Sequence, residues 1–135
     1  MNDFICPQCR GHLRVGENIV FRIKNKERET ALLLLNAKIG NYSSFKHPSF
    51  VIAQGEEVDF SCPLCGTDLR SDIHINLVKV VMVDEKGDEY DVYFSKVAGE
   101  HSTYITKGDE LGTAGDDAGK YTYFKVGHKF KKFLK

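Results

Sequence analysis

Four cysteines, arranged as two pairs with the same spacing, are the residues of this chain best suited to chemistry. Two residues separate Cys6 from Cys9, two separate Cys62 from Cys65, and a proline follows the first cysteine of each pair. This spacing can direct both sulfurs at one ion, because the backbone turns tightly between them and the fixed φ of proline favours the turn. Two such pairs facing each other would present four thiolates, which is the ligand set of a structural zinc site.

Each pair lies within a repeated pattern, F-x-C-P-x-C-x-x-x-L-R, over residues 4–14 and 60–70, and the chain has no fifth cysteine. In a reducing compartment a regular cysteine pattern indicates metal binding more often than disulfides. Catalytic zinc keeps one coordination position open, whereas four cysteines leave none. We therefore predict one structural metal on all four cysteines. Zinc is the expected ion, and iron is the alternative because both metals suit thiolate ligands.

At these two cysteine turns, or knuckles, the chain resembles zinc ribbons and the related rubredoxin-type folds. The resemblance rests on the CPxC pairs with Gly11 and Gly66, covers well under half of the chain, and implies a small β scaffold around the metal. In the first knuckle, Arg10 occupies the position of Gly66, so a less regular turn is expected there. The knuckles are 52 residues apart (10–61), which predicts an inserted hairpin and loop.

Alternating apolar and polar residues predict strands through most of the chain. The predicted strands are 18–24, 29–35, 50–53, 58–61, 77–83, 89–95, 102–106 and 121–126. The clearest hairpin is 77–95, whose first strand has apolar residues on both faces. Loops are expected at 36–49 and at the glycine-rich, acidic stretch 107–120, and a short helical face is expected within 128–135.

The predicted fold class is therefore mainly β, in two parts. Residues 1–72 would form a zinc-ribbon-like half with an inserted hairpin and loop. Residues 73–135 would form an antiparallel β half, containing the hairpin or meander and ending in a basic tail.

Three further groups of residues have weaker chemical interpretations. His12, beside the first knuckle, could replace a cysteine ligand, but four cysteines already complete the shell. Glu100 and His101 could serve acid–base chemistry, although a hydrogen-bonded turn is the favoured interpretation. The carboxylates Asp109, Glu110, Asp116 and Asp117 do not have the spacing of an EF-hand loop, so a solvated loop is expected. Arg14 and Arg70 could pair with carboxylates, screen the thiolates, or form a basic face with Arg10.

Charge and hydropathy limit the classes of partner. The net charge is zero, so any attraction to nucleic acid must be local. Basic residues occur at the tip of the first predicted hairpin (Arg22, Lys24, Lys26, Arg28) and in the tail (Lys120, Lys125, Lys129, Lys131, Lys132, Lys135). The longest apolar runs are too short for a transmembrane segment and no secretion signal is evident, so a cytoplasmic location is expected.

The leading hypothesis is a non-enzymatic binding or adaptor module with a protein or nucleic-acid partner. The alternative is an iron electron carrier of rubredoxin type. An enzyme built around Glu100 and His101 is a third, weaker hypothesis.

Overall fold

Strands make up just under half of the described chain, and apolar side chains organise the longer ones. The computed structural model describes residues 2–71, 73–74, 76–107 and 110–114. These contain the strands β1 (Asp3–Ile5), β2 (Arg14–Val15), β3 (Asn18–Lys24), β4 (Thr30–Asn36), β5 (Ser44–Lys46), β6 (Asp59–Ser61), β7 (Leu77–Val83), β8 (Glu89–Ser95), β9 (Thr103–Lys107) and β10 (Glu110–Ala114). The described ranges include no helix with the length and hydropathy needed to cross a bilayer.

The strands form two antiparallel sheets, which confirms the predicted mainly β fold. Sheet A has the order β1-β7-β8-β9-β10. Sheet B has the order β2-β3-β4-β5, with β6 paired to β3 beside β2. The predicted hairpin at 77–95 is confirmed as β7 and β8, and β7 is buried on both faces for most of its length.

The hairpins β3–β4 and β7–β8 have the same construction. All four strands contain seven residues, and five-residue turns, 25–29 and 84–88, connect them. The Oδ1 atoms of Asn25 and Asp84, which open the turns, accept hydrogen bonds from the N–H groups two and four residues later. The fourth turn residue has a positive φ in both cases, 67° at Arg28 and 86° at Gly87.

A shift of 59 residues, from Asn18 to Leu77, relates the two hairpins and extends to the strands beside them. The cross-strand pair Leu34↔Phe45 corresponds to Tyr93↔Tyr104, so β5 matches β9. Residues 3–46 and 59–107 are therefore two structural repeats, far longer than the eleven-residue sequence pattern.

Each repeat gives its first strand to the other repeat. β1 pairs with β7 in the register Asp3↔Val83, and β6 pairs with β3 in the corresponding register Asp59↔Lys24. The two repeats are thus interlinked by a reciprocal exchange of strands.

The core lies between the sheets and draws on both repeats. Phe21 of β3, Phe60 of β6 and Phe94 of β8 contact one another with ring centroids 5.3 to 5.5 Å apart. One cluster of buried side chains contains residues of both repeats, the first being Phe4 and the last Val92. The division of the chain at residue 72 stays a prediction.

Several sequence-based boundaries were wrong. Residues 50–53 are not a strand: Phe50 turns into the core while Val51 is exposed. β5 lies in the predicted loop 36–49, because the edge of β4 is available for pairing. β10 likewise lies in the predicted loop 107–120, where it pairs with β9. The predicted strand 121–126 and the helical face within 128–135 lie outside the described residues.

Replacing Phe21 by alanine should lower the free energy of unfolding by about 3–5 kcal/mol, because Phe21 is fully buried against two other rings. Urea denaturation followed by circular dichroism measures the change. Phe45→Ala is the matched control, since Phe45 is 64% exposed, and it should change stability by less than about 0.5 kcal/mol. Equal losses in the two variants would contradict this assignment of the core.

Candidate metal centre

The two knuckles lie where the chain passes from one sheet to the other. The first follows β1 of sheet A and leads into β2 of sheet B. The second follows β6 of sheet B and leads to residues 69–71, which bond to β7 of sheet A through the Leu69 carbonyl and the Ser71 N–H. The four cysteines are therefore held by both sheets at once.

The structure brings all four predicted cysteines together. Their Sγ atoms lie within 4.8 Å of one another, and the Cys6–Cys65 and Cys9–Cys62 separations are both 3.8 Å. A tetrahedron with metal–sulfur distances of about 2.3 Å has edges of about 3.8 Å. The arrangement thus fits one tetrahedrally coordinated ion, and all four cysteines are free thiols.

The backbone of the two knuckles is the same. In each, the N–H of the first cysteine donates to the carbonyl five residues later, and its carbonyl accepts from the N–H four residues later, at 2.9 to 3.0 Å. The residue four positions after the first cysteine has a positive φ in both knuckles, 64° at Arg10 and 77° at Gly66. The expectation of a less regular first turn is therefore wrong, because Arg10 adopts the conformation that Gly66 adopts.

Backbone N–H groups point at the sulfurs in both knuckles. Cys6 Sγ accepts from the N–H groups of Gln8 and Cys9 at 3.3 and 3.4 Å, and Cys62 Sγ accepts from the N–H groups two and three residues later at the same distances. Gly11 N–H donates to Cys9 Sγ at 3.4 Å. Such donors offset negative charge on thiolates and so suit a metal-binding role.

The pKa values of the two buried cysteines move in opposite directions. Burial raises the pKa of Cys6 to about 12, against the N–H groups that lower it. Burial also acts to raise the pKa of Cys62, but its N–H donors and the Cys6 thiol outweigh that effect, so this pKa is lowered. A cation among the four sulfurs would favour their ionisation, and its binding would release protons.

The leucines and phenylalanines of the repeated pattern are core residues. Phe4, Leu13, Phe60 and Leu69 are at most 7% exposed. These residues precede and follow the two cysteines of each knuckle and so anchor both of its ends in the core. The Leu13 N–H donates to the Phe4 carbonyl, and the Leu69 N–H donates to the Phe60 carbonyl.

Charged neighbours of the first knuckle pair with carboxylates. Arg10 forms a two-point ion pair with Glu89, which lowers the pKa of that carboxyl. Arg14 lies 3.5 Å from Asp3, and His12 also contacts Asp3. His12 is 73% exposed and outside the sulfur cluster. Among the described residues, the four cysteines are the only group of His, Cys, Asp and Glu side chains placed to hold a metal ion.

The other sequence-predicted candidates lie elsewhere. The His101 ring stacks on Tyr42 with centroids 4.3 Å apart, and Glu100 accepts a hydrogen bond from Ser95 Oγ at 2.8 Å. These contacts lie at the β8–β9 connection. The side chain of Glu110 is not described, and Asp109, Asp116, Asp117 and the tail lysines (Lys120, Lys125, Lys129, Lys131, Lys132, Lys135) lie outside the described residues.

Comparison with protein-family models, with curated proteins and with solved structures gives no match for this chain. The interpretation of the cysteine cluster therefore rests on its own geometry and donor chemistry.

The equivalence of Arg10 and Gly66 can be tested by exchange. Gly66→Ala should lower the free energy of unfolding by about 1–2 kcal/mol, because an L-residue is strained at positive φ. Arg10→Gly removes that strain but also the exposed ion pair with Glu89, which solvent screening keeps weak. Glu89→Ala removes only the pair. Chemical denaturation should find Arg10→Gly at least as stable as Glu89→Ala. If Gly66→Ala is neutral, the assigned turn is wrong.

Proposed function

We propose that this chain is a small, non-enzymatic binding module whose fold is stabilised by one structural zinc ion. The observation that carries the proposal is the convergence of the Sγ atoms of Cys6, Cys9, Cys62 and Cys65, which lie within 4.8 Å of one another with two separations of 3.8 Å. Four thiolates leave no open coordination position for a substrate or water, which favours a structural over a catalytic role. A site that needs reduced thiols fits the cytoplasm.

Zinc at this position would stabilise the contact between the two sheets. Each knuckle leads from one sheet into the other, and β1 and β6 contain only three residues each. Structural zinc sites bind with about 10–16 kcal/mol, comparable to or above the whole stability of a typical domain. The apolar contacts alone then need to supply only part of the stability.

The surface best suited to a partner is the outer face of sheet B, formed by Val20, Arg22, Leu32, Leu34 and Phe45. Register places Val20, Leu34 and Phe45 in one row across three strands, with Arg22 opposite Leu32 in the next row. Leu32 is 55% exposed and Phe45 is 64% exposed. An exposed apolar patch bordered by polar groups is typical of protein–protein contact sites.

The second repeat supports this choice, because three of the corresponding side chains on sheet A are buried. Tyr93, Tyr104 and Val81 occupy the positions of Leu34, Phe45 and Arg22 and are 4%, 0% and 5% exposed. The other two positions hold the partly exposed ion pair of Lys79 and Asp91. Large apolar side chains at these positions are thus exposed on sheet B and buried on sheet A.

The partner we propose is a protein with an apolar surface and acidic groups that complement Arg22. Nucleic acid is less favoured at the predicted hairpin tip, because Lys26 and Arg28 alternate there with the exposed Glu27 and Glu29. Those carboxylates cancel the local positive charge that phosphate binding requires.

Elemental analysis with a visible spectrum tests the metal. We expect about one zinc per chain, a colourless protein, and loss of both metal and folded circular dichroism in the Cys62→Ser/Cys65→Ser variant. Leu64→Ser, an exposed change in the same knuckle, should retain the zinc.

Two other outcomes would contradict structural zinc. One iron per chain with a coloured oxidised form would favour the rubredoxin-type electron carrier, which uses the same donors. No metal, together with a folded double-serine variant, would remove the metal centre altogether.

The outer face is tested with the exposed double variant Leu32→Ser/Phe45→Ser. The variant should keep its zinc and its unfolding midpoint. Quantitative crosslinking in cells that make this protein should recover fewer partner proteins with the variant than with wild type. Val51→Ser is the matched control, since Val51 is 68% exposed and lies outside the sheet. Capture of nucleic acid that weakens steeply with salt would contradict the choice of a protein partner.

A further inference from the structure

A cavity lies between strands β4 and β5 on one side and the segment that connects β8 to β9 on the other. Its volume is about 270 Å³. Apolar walls come from both sheets (Leu33, Leu35, Phe60, Phe94), and charged or polar groups line the rest (Lys46, Lys96, Glu100, His101, Ser102). An apolar body with a few polar groups is the usual composition of a small-molecule site.

The first repeat contains the corresponding cavity, but it is nearly filled. That space, along residues 35–42, measures about 60 Å³. By the 59-residue shift, Ile39 corresponds to Ala98 and Ala37 to Lys96. Ile39 packs against the core, whereas Ala98 leaves space open. The space in the first repeat is therefore small and has one lysine, Lys38, in its lining, whereas the space in the second repeat is larger and has two, Lys46 and Lys96.

Hydrogen-bond donors remain available around the larger cavity. The Lys96 side chain is only 10% exposed, and its Nζ contacts Asp59 at 3.3 Å. Lys46 Nζ contacts the neutral Phe50 carbonyl. Each ammonium group has three N–H donors, so these contacts leave others unused. Ser102 is fully buried, and its Oγ has no hydrogen-bond partner among the described residues.

These donors favour an anionic group on the ligand. Glu100 is the carboxylate in the lining, and it already accepts a hydrogen bond from Ser95 Oγ. A ligand carboxylate would find two ammonium groups and a hydroxyl in the lining, whereas a ligand ammonium would meet repulsion from Lys46 and Lys96. One water occupies about 30 Å³ of the liquid, so the volume of about 270 Å³ corresponds to roughly nine waters, or to a ligand of similar size.

We infer that this cavity binds a small monocarboxylate with an aromatic or aliphatic body of about ten non-hydrogen atoms. The carboxylate would lie toward Lys46, Lys96 and Ser102, and the body would contact Leu33, Phe60 and Phe94. This binding is independent of the partner surface on sheet B.

The test is a titration of the full-length, metal-loaded protein followed by amide NMR shifts. Three probes of one shape are compared: phenylacetate, its neutral amide phenylacetamide, and the cation 2-phenylethylamine. Phenylacetate should shift amides of residues 44–46 and 95–102 with a Kd of about 1 mM or tighter. Phenylacetamide should bind about tenfold more weakly, and the cation should not saturate.

Four variants make the test specific. Ala98→Ile introduces the side chain that fills the first repeat and should abolish binding. Lys46→Met should weaken phenylacetate about tenfold, whereas Lys86→Met, in an exposed turn, should not change it. Ile39→Ala enlarges the other cavity, whose lining has the single ammonium group of Lys38, and any site it creates should bind phenylacetate about tenfold more weakly.

Three results would overturn the inference. These are no saturable shift with phenylacetate, equal binding of the acid and the cation, or unchanged binding in a folded Ala98→Ile protein. If Ala98→Ile fails to fold, the probe series and the Lys46→Met and Lys86→Met pair still decide the outcome.

Discussion

The reciprocal exchange of first strands is the constraint on which the rest of this structure depends. Because β1 lies on β7 and β6 lies on β3, each knuckle must cross from one sheet to the other. The two crossings meet, and the four sulfurs lie at their meeting point. The cysteine cluster is thus a consequence of the strand exchange, and a metal ion bound there would help to fix that exchange, since short strands hold a sheet weakly without further support.

The two repeats keep the same backbone while their side chains have diverged. Both five-residue turns have an Asx side chain at the first position and a positive φ at the fourth, although the residue there is arginine in one and glycine in the other. Two of the places where the side chains differ change the chemistry of the surface: the outer faces of the sheets, and the spaces beneath the connections at Ile39 and Ala98. Positions that set the backbone are therefore retained, and positions that set surface and cavity chemistry differ.

Sequence alone predicted the parts that depend on local pattern. The cysteine spacing identified the cluster, alternation identified β3 and β8, and a run of apolar residues before a turn identified β7, because these signals need no knowledge of distant partners. It missed β1, β2 and β5, which have two or three residues each and become strands only by pairing with distant segments. Strands this short carry no measurable periodicity.

The long repeat was also missed, since few side chains are shared beyond the knuckles. Two signals could have revealed it at the same 59-residue shift. Asn25 and Asp84 both open turns after seven-residue strands, and Gly40 and Gly99 both have positive φ. Positions at which the backbone needs an Asx or glycine residue can thus remain similar between two repeats after the other side chains have diverged.

The strand exchange also determines the order in which the chain can fold during synthesis. Asp3 pairs with Val83, so the first strand made has no sheet to join until most of the described chain has left the ribosome. Until then Phe4 and Ile5, which are buried in the finished fold, lack their native cover. Such long-range pairing slows folding and leaves apolar segments open to aggregation in the interval. The topology that joins the two sheets therefore makes aggregation most probable during synthesis, before β7 is available to pair with β1.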